Sequence, residues 1–156
     1  RRIEQITVVA RSDFLGMVSY DHEQQHDYTR DFLFGLTCVA LAGRAAQTRQ
    51  FGDKGLDSGA SGDLKQAMRY AWMAVGSWGM DEEMFNMDIA SLREFSELSL
   101  YQEQIETRLR HWIESATSKT DELVEQYWEK IECIAREVLE KEVLDEQSLL
   151  TILENK

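Results

Sequence analysis

A chain of 156 residues, 43% hydrophobic and 29% charged, has the balance of one globular domain long enough to bury a core, which excludes a disordered polymer. Its formal net charge of −12 argues against nucleic acid or an anionic membrane surface as a direct partner, because phosphates would be repelled. No apolar run approaches the roughly 20 residues a membrane span needs and no signal peptide is recognisable, so the chain reads as soluble and without direct membrane contact.

The chain contains no proline, which suits long uninterrupted helices. It opens on Arg1-Arg2-Ile3 without Met and reads as an excised piece of a longer protein. Residues 3–9 are rich in β-branched side chains and predict a strand, and Leu15–Tyr20 predict a second after an Arg11-Ser12-Asp13 turn. A polar loop over 21–27 follows. Thr29 then caps a helix running to about Gln50, with Asp31 in its first turn. Phe32, Leu36, Cys38, Val39, Leu41 and Ala45 cover more than half its circumference, which makes it a central helix.

Phe51–Gly62 holds four of the nine glycines and predicts a loop. Ser61 is expected to cap a second helix from about Gly62 to Gly79, with Leu64, Ala67, Met68, Ala71, Trp72 and Val75 at helical spacing and Gly79 just past its end. Residues 80–90 look irregular. One helix is expected over about 92–115, another capped by Ser118 or Thr120 and running to about Lys141, and a short last one over 146–154 capped by Asp145. The fold class is mainly α with a small N-terminal two-stranded β-ribbon, read as a single domain over 1–156. Residues 1–27 form its ribbon and loop, 28–80 two core helices around the Asp63 turn, and 91–156 the C-terminal helices.

Cys38 and Cys133 lie far apart among apolar helical neighbours and read as buried reduced thiols of a reducing compartment. Met68, Trp72, Met73, Trp78 and Met80 recur at helical period and are expected in the core or at a subunit interface. Lys130, Glu137, Glu140, Lys141 and Glu142 read as a solvated helix face with i,i+4 pairing. Ser58 and Ser61 lack a histidine at recognisable spacing, and no Walker-type phosphate loop is present, so neither nucleophilic catalysis nor ATP binding is expected of this segment.

Two features could serve a metal. His22-Glu23-Gln24-Gln25-His26 matches HExxH, in which two histidines one helical turn apart bind zinc and the glutamate acts as general base. Its surroundings, Tyr20-Asp21 before and Asp27-Tyr28 after, are polar throughout, with no apolar face to hold such a helix inside the protein. Asp63 stands at the start of a helix after a small-residue turn. A carboxylate there is stabilised by the macrodipole in any case, and it can also complete a metal site whose other ligands come from elsewhere.

The order of segments resembles the peptidase domain of FtsH-type ATP-dependent zinc metalloproteases. Ile6-Thr7-Val8-Val9-Ala10-Arg11 and Leu15-Gly16 resemble that family's strand pair. Tyr28-Thr29-Arg30, then Cys38 through Ala46, resemble its central helix, usually written LGGRAAEE. Residues 57–64, DSGASGDL, resemble its STGASNDL, Trp78-Gly79-Met80 the end of the next helix, and residues 139–145, LEKEVLD, its LLEKETLD. The matches are spread over nearly the whole chain, with 81–115 poorest.

The resemblance implies that the catalytic HExxH lies upstream of the first strand, that Asp63 is the third zinc ligand, and that His22 and His26 are not the zinc site. It further implies a homohexamer that degrades unfolded or membrane proteins, an ATPase domain elsewhere in the polypeptide, and a membrane anchor with the enzyme on the cytoplasmic side. This segment alone is expected to be inactive. Two departures stand out: Gln47 and Thr48 occupy the places of paired acids, and Gly62 stands where Asn is usual. Gln47 and Thr48 favour a second reading, a degenerate non-catalytic helical module kept for assembly of an AAA-type ring. A third keeps His22, Glu23 and His26 as a self-contained zinc site.

Overall fold

A computed structural model describes residues 2–10, 16–21, 27–83, 86–91 and 101–154. Two compact units emerge, one from residues 27–124 and one from residues 1–26 together with 125–156. The described residues contain five α-helices and three short strands, so the mainly α class stands.

In the unit of residues 27–124, α1 (Arg30–Phe51) starts where expected, the Thr29 hydroxyl accepting from Phe32 N at 3.2 Å. Leu33, Leu36, Thr37, Cys38 and Leu41 are buried, while Val39, expected inside, is 57% exposed. The second helix, α2 (Ser61–Trp72), runs on into a π-helical turn, Met73–Ser77, that helical periodicity did not reveal. Gly79 then takes φ +55, as the expected residue past the helix end. Ala71, Ala74 and Val75 pack with Leu33 and Leu36 of α1 and with Ile105 and Trp112 of α3 (Gln102–Gln126). Deeper along α1, Cys38 and Leu41 meet Ala67 and Ala116. Trp112 is fixed at three points: its Nε1–H donates to Thr37 Oγ1 at 3.1 Å, Phe34 meets it edge-on at 5.5 Å, and the Arg30 guanidinium lies 5.3 Å from its ring centre.

The helix boundary expected near 116–120 does not exist. Ser118 Oγ donates to Glu114 O at 3.0 Å and Thr120 Oγ1 to Ala116 O at 2.6 Å, so these hydroxyls bond back into α3 instead of capping a new helix. The chain breaks at Tyr127, and α4 follows over Trp128–Lys141.

In the other unit, β1 (Ile3–Thr7) pairs antiparallel with β2 (Met17–Tyr20) and with β3 (Val143–Asp145), in the order β2-β1-β3. The third strand was not expected. It places Ile6 opposite Leu144, and both pack with Val138 of α4 and Leu149 of α5 (Glu146–Glu154). Asp145 caps α5 as expected, Oδ1 accepting from Ser148 N at 2.9 Å. Lys141 pairs with Glu137 at 2.6 Å on the solvated face, whereas Lys130 donates to Leu153 O and Glu142 has left the helix at φ +64. Cys38 is buried, which pushes its thiol pKa up, but Cys133 is exposed, contrary to expectation.

Candidate metal centre

Asp63 owes its position to the way α1 ends. Gly52 takes φ +66 with extended ψ, a conformation only glycine enters freely, and its N–H donates to Thr48 O at 2.8 Å. A short 3₁₀ turn, Asp53–Gly55, reverses the chain. Asp57 then closes a local turn, Oδ1 accepting from Gly59 N at 2.8 Å, and Ser61 N donates to Ser58 O at 3.0 Å. The residue before α2 is Ala60, which has no capping side chain, and Ser61, expected as the cap, is already the first helical residue. Its hydroxyl arrives one position too late to satisfy the open N–H groups of the first turn.

Asp63 is the third residue of α2, exposed, with its carboxylate over α1. One oxygen lies 3.9 Å from the point that a β-carbon on Gly43 would occupy. That is an ordinary van der Waals distance, so the carboxylate lies directly over this turn of α1.

The loop is tied to the same stretch of α1. Arg44 Nη2 donates to Asp57 O at 2.8 Å, and Gln47 Nε2 donates to Gly55 O at 3.0 Å. The Asp57 carboxyl is held below its usual range, first by the Gly59 N–H, then by a hydrogen bond from the Gln47 amide, with Arg44 adding a smaller electrostatic pull. Gln47, which stands in the place of one of the family's paired acids, is one of the loop's attachments. The signals were the Asp-x-Gly turn at 57–59 and the four-residue spacing of Gly43 and Gln47, which share a helix face. Thr48 Oγ1 donates within α1 to Arg44 O.

Among the described residues no three His, Cys, Asp or Glu side chains gather into a metal-binding group. Asp63 fits zinc as one accessible anionic oxygen ligand on a helix terminus, but zinc needs more than one protein ligand. His22, Glu23 and His26 lie outside the described residues. Of the aromatic and methionine series, Trp72, Met73 and Met80 pack on the core, while Met68 and Trp78 are nearly half exposed. No described helix is long and apolar enough to cross a membrane.

The α1–α2 pair thus carries Asp63 at the start of its second helix, after the turn that holds Asp53 and Asp57. The chain belongs to peptidase family M41, which it matches over residues 1–152. It is 31% identical over 154 residues to ATP-dependent zinc metalloprotease FTSH 3, mitochondrial, of Oryza sativa subsp. japonica, covering 95% of this chain and 19% of that protein. It is 30% identical over 156 residues to the mitochondrial inner membrane m-AAA protease component AFG3L1 of Mus musculus, with 95% and 19% covered. Against ATP-dependent zinc metalloprotease FtsH 2 of Methylacidiphilum infernorum the identity is 27% over 165 residues, covering 97% and 25%. The chain therefore spans about a fifth to a quarter of the length of these relatives.

Proposed function

We propose that this chain is part of the proteolytic domain of an ATP-dependent zinc metalloendopeptidase, and that Asp63 supplies one carboxylate ligand of the zinc. The observation that carries the reading is the placement of Asp63: a family segment, turned by Gly52 and Asp57, sets its carboxylate over a glycine on α1. Zinc held there would supply Lewis-acid chemistry, polarising a peptide carbonyl and acidifying water. Asp63 contributes charge and one oxygen, α1 and the 53–60 loop hold it in place, and the two imidazoles come from the protein outside this chain. Its two units together make one peptidase domain. The intact protein is a homohexamer anchored to a membrane, with its peptidase on the cytoplasmic side. A separate ATPase domain in the same polypeptide uses ATP to deliver unfolded or membrane proteins to be cut.

Zinc content and chelator-sensitive casein hydrolysis of the intact protein, with and without Asp63→Asn, test this. Stoichiometric zinc and activity in the parent, both lost in D63N, are expected, as is no hydrolysis by residues 1–156 alone. Absence of zinc and activity from the intact protein would instead favour the assembly module, a reading supported by Gln47 and Thr48 standing where the family has paired acids. Zinc in residues 1–156 that His26→Ala removes would transfer the site to His22 and His26.

A further inference from the structure

We infer that Gln47 is a positioning residue for Asp63: its side-chain amide fastens the 53–60 loop to α1 and so fixes where α2 begins and where the Asp63 carboxylate stands. The inference rests on the reading of Asp63 as a zinc ligand.

Three neighbouring residues of α1 serve one turn. The Asp63 carboxylate lies over Gly43, Arg44 holds Asp57 O, and Gln47, one helical turn beyond Gly43, holds Gly55 O. The first turn of α2 has no side-chain cap of its own, so the loop before it is held from α1. The chemistry of residue 47 is specific. The Gly55 carbonyl is a pure acceptor, and the amide NH₂ donates to it while keeping a neutral group beside the Asp57 carboxylate. A glutamate of the same shape would bring a third acceptor and a second negative charge to that place. It would lose the hydrogen bond to Gly55 O and repel Asp57. Thus the residue that departs from the family's paired acids fits this loop because it is an amide.

The test measures zinc affinity in the intact protein by competition with a chromophoric chelator, beside amide hydrogen exchange over residues 56–64 and thermal melting. Q47E, and the milder Q47A, should weaken zinc binding about tenfold, the scale seen when a group supporting a metal ligand is removed. Exchange over 56–64 should quicken in step, with Q47E the more affected. Zinc affinity unchanged in both variants, while D63N loses zinc, would overturn the role of Gln47 and leave Asp63 as ligand. Parental zinc affinity in D63N would overturn the reading of Asp63, and the role of Gln47 with it. A loss of zinc in Q47E matched only by general unfolding, with Q47A at parental affinity, would reduce Gln47 to a stability residue and also overturn the inference.

Discussion

Arg108 grips Asp81 with two parallel hydrogen bonds, Nε to Oδ1 at 2.8 Å and Nη2 to Oδ2 at 2.9 Å, although Asp81 is only 2% exposed. The guanidinium also reaches Glu83 at 2.8 Å, so α3 holds the segment after Gly79 at two carboxylates. From the other side, Arg30 Nε donates to Met80 O at 3.2 Å. Without its guanidinium, Asp81 would remain a buried carboxylate whose desolvation is no longer offset. R108A should therefore destabilise the protein by about 3 kcal/mol. E83Q, at the exposed end of the same cluster, should change stability by less than about 1 kcal/mol. Equal losses for the two, measured by urea unfolding, would contradict a burial-dependent role.

The glycines separate into opposite predictions. Gly35 is in mid-helix with nothing within 4 Å of an added β-carbon, so G35A should stabilise by about 0.5–1 kcal/mol. Gly79 has φ +55, and a β-carbon there would lie 2.9 Å from the backbone nitrogens of Asn86 and Met87. G79A should cost at least about 1–2 kcal/mol, from left-handed strain before the clash is counted. Melting temperatures shifting in the same direction for both variants would refute this contrast.

Glu142 is a non-glycine residue at φ +64, where its N–H closes α4 on Val138 O and its carbonyl accepts from Val8 N at 3.0 Å and Thr7 Oγ1 at 3.2 Å. These bonds use only its backbone, and its side chain is exposed. E142G should keep them, relieve about 1 kcal/mol of strain, and raise the melting temperature, less a small cost in chain entropy. A lower melting temperature would show that the carboxylate matters.

Acid should loosen the same turns that hold these elements together. Asp145 is held below its ordinary 3.8 by Ser148, and Glu146 below its ordinary 4.5 by Arg2, whose guanidinium chelates it. Asp57 is lowered likewise by Gly59 and Gln47. For each the folded value is the lower one, so the unfolded chain takes up the proton first. The contribution to stability is complete above the ordinary values and is lost as pH falls through the folded ones. Amide exchange at Gly59 and Ser148 should accelerate, after correction for intrinsic chemistry, as pH falls below about 4. Corrected rates that stay flat to about pH 2 would contradict it.

Features settled by near neighbours were legible in the sequence. The Thr29 and Asp145 caps need only the next three residues, and both formed where expected. Ser118 and Thr120 are the same residue types with the opposite outcome, because a hydroxyl inside a helix can bond to the carbonyl four residues back. The third strand escaped because Val143-Leu144-Asp145 is too short to show alternation, and its partners Gln5–Thr7 stand at the other end of the chain. The π-turn escaped because Ala74 and Val75 fit a continued helical stripe equally well. At the candidate site, position gave Asp63 a helix-start role with a metal option but no partners, and family likeness was needed to make it an expected third ligand. The service of Gln47 to Gly55 depends on how the chain reverses after Gly52, which spacing within α1 alone does not reveal.

The pairing of β1 with β3 also sets an order of events during synthesis. The central strand of the small sheet finds its second neighbour only after the residues as far as Val143–Asp145 have been made. Residues 27–124, whose core is drawn from nearer neighbours, can condense while β1 waits with one edge unpaired. A ribosome that stalls before Val143 would therefore release a helical body carrying an unfinished, association-prone strand.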